Sequence, residues 1–321
     1  MLKTPSTKAG TEPVQTGPAP LSFALAFAAL VVGAIAMGIS PVFVRMAEVG
    51  PFASAFWRVA LALPLLYIWL RWEQAPKQPI KAANEPAKVT KLLQNKAVLL
   101  AGIFFAGDLF FWHLAIMNTT IANATLLSCL APVWVALFSG AFIGEKVSQK
   151  ALVGLLLCLI GAGLLIGSSL SIAPERLMGD IYGIITSLFF GLYFLAIRVA
   201  RRHTSAGTLT FTSGIITAAI LLLVTLISGQ GFLPATATGL AALVALGAVS
   251  HVGGQGLLAL ALGSLSATFS SLVIFIEALA AALFGWLVFA EVLTPLQGFG
   301  GFLILIGIWI ARPTAGESGG S

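Results

Sequence analysis

Ala136-Leu-Phe-Ser-Gly-Ala-Phe-Ile-Gly-Glu145-Lys-Val-Ser148 and Ala282-Leu-Phe-Gly-Trp-Leu-Val-Phe-Ala-Glu291-Val-Leu-Thr294 are two versions of one stretch. Each runs from an apolar helix into a glutamate, and three residues on comes a hydroxyl residue that reads as a helix N-cap. The second copy adds Pro295 at the first helical position, where its missing N–H costs nothing. Glu145 and Glu291 stand 146 residues apart. The same offset lays Leu114-Ala115 on Leu260-Ala261, Gly154 on Gly300 and Leu159-Ile-Gly161 on Leu305-Ile-Gly307. Leu and Ala pairs match by chance in apolar helices, so the glutamate, hydroxyl and glycine matches in one register carry the weight.

Composition explains what this repeat is made of. Of 321 residues, 59% are hydrophobic and 9% charged, with a mean hydropathy of +1.02. A soluble domain carries about 25% charged residues, so most of the outer surface must face lipid. No charged residue occurs between Glu12 and Arg45, between Asp108 and Glu145, or between Arg202 and Glu277. A crossing takes about 20 apolar residues. The punctuation predicts ten spans, near 21–47, 52–72, 97–118, 121–143, 149–169, 179–200, 207–228, 237–260, 264–290 and 294–311. The runs are continuous and lack the alternation of barrel strands. The expected fold is an all-α polytopic membrane protein, ten transmembrane helices arranged as two inverted five-helix repeats. Residues 1–20 form a cytoplasmic tail, 21–170 the first repeat, 171–311 the second and 312–321 another cytoplasmic tail. The first span is too long for a signal-peptide core and reads as an uncleaved anchor.

Basic residues set the orientation. Lys3, Lys8, Arg71, Lys77, Lys81, Lys88, Lys91, Lys96, Lys146, Lys150, Arg198, Arg201, Arg202 and Arg312 fall on the side of the N-terminus, against Arg45 and Arg176 on the other. Both termini are therefore expected in the cytoplasm of a bacterial inner membrane. The net charge of +6 reads as topology and contact with anionic lipid headgroups, not as nucleic-acid binding. Cys129 and Cys158 lie in apolar stretches without zinc or disulfide spacing, so no metal and no cofactor is expected. HExxH, GxSxG and a paired-aspartate intramembrane motif are absent from the sequence, which argues against an enzyme.

A repeat of five spans is odd-numbered, so its second copy enters the membrane from the opposite side. The charges agree, since Glu145 has Lys146 and Lys150 beside it whereas Glu291 has no basic neighbour. Inverted repeats around a midplane site are a transporter architecture. The stretch Ala115-Ile-Met-Asn-Thr-Thr-Ile-Ala-Asn-Ala-Thr-Leu-Leu127, running on to Phe142-Ile-Gly-Glu145-Lys146, and its counterpart from Ala261-Leu-Gly-Ser-Leu-Ser-Ala-Thr-Phe-Ser-Ser-Leu272 to Phe289-Ala-Glu291 resemble the paired signatures of the drug/metabolite transporter superfamily, EamA type. The resemblance covers residues 21–311 and is closest to the bacterial aromatic amino-acid exporters. It implies a central cavity lined by the first, third, fourth, sixth, eighth and ninth spans. It also implies structural roles for Glu145 and Glu291.

A charge in mid-span costs about 2.5–3.5 kcal/mol on insertion scales, so each case asks for a reason. Asp108, His251 and Glu277 fall near the middle of the third, eighth and ninth spans. In the repeat register they meet Gly254, Phe105 and Ala131, so none has a symmetry mate. Groups needed only for packing would recur in both halves, which makes these three candidates for substrate or proton work. The competing reading pairs Glu277 and His251 with each other or with backbone carbonyls as interhelical glue, worth about 0.6 kcal/mol. Gln255 shares the helix face of His251. Trp112, one turn after Asp108, and Trp134 near the middle of the fourth span lie away from the membrane interfaces, and they suit an aromatic-lined cavity or plain bundle packing. Arg58 reads as snorkelling to headgroups in preference to clamping a carboxylate, and His113 as a satisfied packing residue. Ser40 with Pro41, and Pro132, are candidate hinges, while Pro64 reads as a fixed kink. Gly154, Gly161, Gly163, Gly300, Gly301 and Gly307 leave grooves that suit either hairpin packing or a homodimer contact.

The expected function is export of amino acids, aromatic ones foremost, by alternating access around a midplane cavity. The alternatives are a broad-specificity drug or metabolite exporter and, further off, a passive channel.

Overall fold

The computed structural model describes residues 20–75, 95–119, 121–166, 174–290 and 293–313. Most of the N-terminal tail, most of the basic linker between the second and third spans, Glu291 and the end of the C-terminal tail lie outside the described residues.

The described residues form helices and no strands. They are α1 (Phe23–Met46), α2 (Pro51–Glu73), α3 (Lys96–Asn118), α4 (Ile121–Ser128 and Ala131–Ile143), α5 (Gln149–Ile166), α6 (Leu177–Ala200), α7 (Ala206–Ser228), α8 (Ala237–Ala261), α9 (Ala267–Val273 and Phe275–Phe289) and α10 (Pro295–Ile310). Eight are long and apolar enough to cross a membrane, and α5 and α10 are shorter apolar helices. Large apolar side chains, among them Ile227, Trp72, Trp309 and Trp286, stand exposed on the outside of the bundle. Water would penalise that surface and lipid accepts it.

Several of these helices are broken, and proline accounts for three breaks. Pieces restart at Ser40-Pro41 in α1, Leu63-Pro64 in α2 and Ala131-Pro132 in α4, each with proline in the first two positions. Proline has no N–H to donate and its ring clashes with the carbonyl four residues back, so the preceding turn cannot continue. The break of α9 at Ile274 has no proline, and no residue pattern foretells it. Nor does any pattern announce that α8 winds as a π-helix from Leu246 to Gly256, a form that concentrates at functional sites.

The 146-residue register recurs in the backbone. Gly144 and Ala290, equivalent in that register, both end their helices in the left-handed region, at φ 75° and 55°. Ser148 caps α5 by accepting from the Ala151 N–H, and Thr294 caps α10 by accepting from the Gln297 N–H, with Gln297 completing a capping box. The breaks in α4 and α9 fall at the same level of the register, around Cys129 and Ile274.

Contacts between α5 and α10 follow the same rule. A Cβ on Gly154 would strike the carbonyl oxygen of Gly307, and one on Gly161 would lie 2.5 Å from that of Gly300. Between these two crossings the Cys158 thiol donates to the Ile304 carbonyl at 3.5 Å. Gly154 is equivalent to Gly300, Gly161 to Gly307 and Cys158 to Ile304, so residue i meets the equivalent of j while j meets the equivalent of i. That pattern is an isologous contact, which a twofold axis generates. The numbers descend along α10 as they rise along α5, so the two equivalent helices run antiparallel. The small-residue groove is therefore used within one chain. Gly163, where an added Cβ would meet nothing within 4 Å, takes no part in it.

At the basic end of the bundle, charged side chains tie helix ends together. Glu145 accepts from the Arg198 Nε at 2.6 Å and from the Ala267 N–H, the first residue of α9, at 2.8 Å. Arg198 also donates to the Leu262 carbonyl, Arg201 to those of Ala259 and Thr204, and Arg202 to that of Ile143. Guanidinium groups thus satisfy the free carbonyls at the C-terminal ends of α4 and α8, where the helix dipole favours a cation. The structural role expected for Glu145 is the one it has here.

Candidate functional site

The breaks in α1 and α4 open onto one central cavity. Its wall takes Met37, Gly38, Ser40 and Pro41 from α1, Arg58 from α2, Phe105, Asp108, Leu109 and Trp112 from α3, Thr125, Ser128, Cys129, Ala131 and Pro132 from α4, Thr186, Phe190 and Phe194 from α6, Gln255 from α8 and Ser271, Ile274, Phe275, Glu277, Ala278 and Ala281 from α9. The register organises this wall. Thr125, Ser128, Cys129, Ala131 and Pro132 on α4 have their equivalents Ser271, Ile274, Phe275, Glu277 and Ala278 on α9 in the same lining, and Leu109 on α3 has Gln255 on α8. The rings of Phe105 and His251, another equivalent pair, approach to 5.5 Å. Together with Cys158 and Ile304, that pair marks a second place where a residue touches its own equivalent. The cavity lies among equivalent residues from the two halves and is alike on both sides in outline.

Its chemistry is not alike. Glu277 faces the position of Ala131, Gln255 that of Leu109, and Asp108 is equivalent to Gly254. Each of these polar groups lacks a polar equivalent in the other half. Glycine makes the close approaches that bring them together. A Cβ on Gly38 would lie 2.8 Å from the Glu277 carbonyl, so α1 can pass α9 only there, and one on Gly254 would strike Met37. Met37 in turn receives the Gln255 Nε2 at its sulfur, 3.2 Å away, which fixes the amide at the cavity wall.

Of the residues singled out from the sequence, Asp108, Trp112, Gln255 and Glu277 line the cavity, as do Ser40, Pro41 and Pro132. His251 is buried behind Phe105 and stands outside the lining. Trp134 points between helices instead, donating from Nε1 to the Ser187 hydroxyl at 2.9 Å and stacking on Phe138. Among the described residues no hydrogen bond or ion pair joins Glu277 to His251, so the glue reading finds no contact here. His113 is buried, with its Nδ1 at 2.6 Å from the Leu109 carbonyl.

Arg58 departs from its sequence reading. It does not snorkel. It is 8% exposed and belongs to the cavity wall, which it shares with Asp108 and Glu277. The signal was in the flanking residues: Ser54, Ala55 and Ala62, one turn either side on the same face, are small and fully buried, as a helix-facing and not a lipid-facing surface requires. Thr186 on α6 was also missed, because a lone threonine in a long apolar helix resembles any backbone-bonded hydroxyl. Among the described residues no cluster of three or more His, Cys, Asp or Glu could hold a metal ion.

A multi-pass helical bundle whose polar centre lies inside it is the build of a membrane transporter. The model of the EamA-like transporter family matches this chain twice, over residues 24–167 and 177–312, and the chain belongs to that family. An uncharacterized transporter of Archaeoglobus fulgidus is 34% identical over 197 residues, which is 61% of this chain and 69% of the relative. The pseudopaline exporter CntI of Pseudomonas aeruginosa is 29% identical over 254 residues, 78% of this chain and 82% of that protein. A crystal structure at 18% identity superposes with a TM-score of 0.74, covering 91% of this chain and 98% of the other, which shows the shared fold.

Proposed function

We propose that this transporter exports amino acids, aromatic ones foremost, across the bacterial inner membrane by alternating access. In this reading its ten helices all span the membrane, as two inverted five-helix halves at residues 21–170 and 171–311, with both termini in the cytoplasm. The observation that carries the proposal is a cavity walled by equivalent residues of the two halves, in which Asp108 and Glu277 each lack an ionisable equivalent in the other half. A shape shared by both halves lets each adopt the form of the other, which is what alternation requires. Unshared polar groups are then free to serve the cargo. Phe105, Trp112, Phe190 and Phe275 offer ring faces for an aromatic side chain, and the Asp108 and Glu277 carboxylates meet its ammonium.

His251 and Trp134 support the site in this scheme, through Phe105 and through α6. The hinges are the breaks at Ser40-Pro41 and at Pro132, which lie at the level of the cavity. With the α5 and α10 glycines engaged inside one chain, a homodimer would use another face.

Two carboxylates against one arginine favour a second reading, export of cationic drugs or another metabolite, and a relative is named as exporter of a different compound. Proteoliposomes loaded with radiolabelled Phe or Trp decide between them. Efflux that competes with other amino acids supports the first reading, efflux blocked by organic cations alone supports the second, and retention of both labels ends the amino-acid assignment.

A further inference from the structure

Four cavity-lining side chains hold a polar atom that finds no partner among the described residues: Ser40 Oγ, Arg58 Nε, Thr186 Oγ1 and Gln255 Oε1. Each belongs to a residue at least nine-tenths buried, at 4%, 8%, 1% and 3% exposed. Buried polar groups are ordinarily satisfied, and each exception asks for an explanation. Two hydroxyls can turn to suit almost any neighbour. Arg58 and Gln255 cannot: the guanidinium is a fixed fork of donors with no acceptor, and the Gln255 amide is held by its bond to the Met37 sulfur, which leaves its oxygen as the open acceptor.

Resting on the reading that this cavity is the transport site, we infer that Arg58 anchors the carboxylate of a zwitterionic substrate while Asp108, Glu277 and the Gln255 oxygen receive its ammonium. An open cationic donor and an open neutral acceptor in one cavity call for a ligand that carries both an acceptor anion and a donor cation. A purely cationic cargo would fill the carboxylates and leave Arg58 buried with no anion of its own. A purely anionic cargo would sit against Asp108 and Glu277. The fork geometry of arginine suits a planar carboxylate by two parallel bonds, which gives orientation as well as affinity. α2 breaks at Leu61-Ala62, one turn after Arg58, and a Cβ on Gly247 of α8 would lie 3.3 Å from the Arg58 carbonyl oxygen, so this part of α2 packs closely against the π-helical segment that carries Gln255.

The test measures binding to the purified full chain in detergent with three probes: phenylalanine, phenylalaninamide, which lacks the carboxylate, and 3-phenylpropionate, which lacks the ammonium. Wild type should prefer phenylalanine over both. Arg58→Gln should lose at least about tenfold in affinity for phenylalanine while phenylalaninamide binds as before or better, and Arg58→Lys should recover part of the loss. Retained phenylalaninamide binding also shows that the variant is folded. Equal loss of both probes in Arg58→Gln, or no loss of either, overturns the inference with the amino-acid reading intact. A wild type that binds none of the three while it transports another solute overturns the amino-acid reading and the inference together.

Discussion

Removing the Glu145 carboxylate should release the basic end of the bundle, and the structure sets the size of the effect. The side chains of Glu145 and Arg198 are 7% and 10% exposed. Glu145 meets two donors, the Arg198 Nε at 2.6 Å and the Ala267 N–H at 2.8 Å. Glu145→Ala removes the acceptor of both, and breaking a buried pair by deleting one partner costs about 3–5 kcal/mol. Glu145→Gln keeps an acceptor for one of them but removes the acceptor's charge, so the loss should be nearer to about 1.5–3 kcal/mol, the range for hydrogen bonds to charged groups. Combining Glu145→Ala with Arg198→Ala should cost less than the two single changes added together, because both remove the same contact. Unfolding by SDS in mixed micelles, followed by tryptophan fluorescence, measures all three, with the exposed Glu175→Gln as a control expected within about 0.5 kcal/mol of wild type. A Glu145→Ala loss below about 1 kcal/mol, or strict additivity in the double variant, would refute the clamp as a stabilising contact.

Gly161→Ala should destabilise by about 1–3 kcal/mol in the same assay, because its new methyl meets the backbone of α10, which cannot turn aside. Gly163→Ala, with nothing within 4 Å, should be silent, and equal effects at the two sites would contradict the packing described for α5. Ala290→Gly should stabilise by about 0.5–1 kcal/mol, since the left-handed turn at φ 55° costs an alanine about 1–2 kcal/mol and glycine loses part of that gain to its freer unfolded chain; a less stable variant would show that the turn is not strained. Glu277→Gln should lower amino-acid efflux at least about tenfold with an unchanged yield of folded protein, whereas a variant lost to misfolding would return Glu277 to a packing role. Pro132→Ala should slow turnover while leaving substrate affinity near wild type, and an unchanged rate would remove Pro132 from the hinges.

What the sequence made legible follows from what is strong in a membrane. Eight of the ten expected spans return as helices long and apolar enough to cross, because a charge-free run of about twenty residues has few other uses. The observed bounds of α4, for example, coincide with the expected 121–143 at both ends. Three of the breaks were legible because proline removes a hydrogen bond wherever it stands. The break at Ile274 and the π-helical turn of α8 arise from packing between helices, and no local residue announces them. Asp108 and Glu277 were legible as residues of the cavity wall because ionisable groups in mid-span are costly, and the register showed them unmatched. Arg58 was misread because distance along a span says little about which way a long side chain turns. His251 and Trp134 satisfied every local criterion yet lie beside the cavity and not in its wall, since a position on a helix face fixes direction only to within a third of a turn.

Counterflow in proteoliposomes tests the central claim most directly. Vesicles preloaded with unlabelled tryptophan and placed in a trace of labelled tryptophan should accumulate label transiently above its outside concentration, because a site that alternates between two sides exchanges one molecule for another. Monotonic equilibration of the label, unaffected by what the vesicles contain, would mean an open path through the bundle and would contradict alternating access.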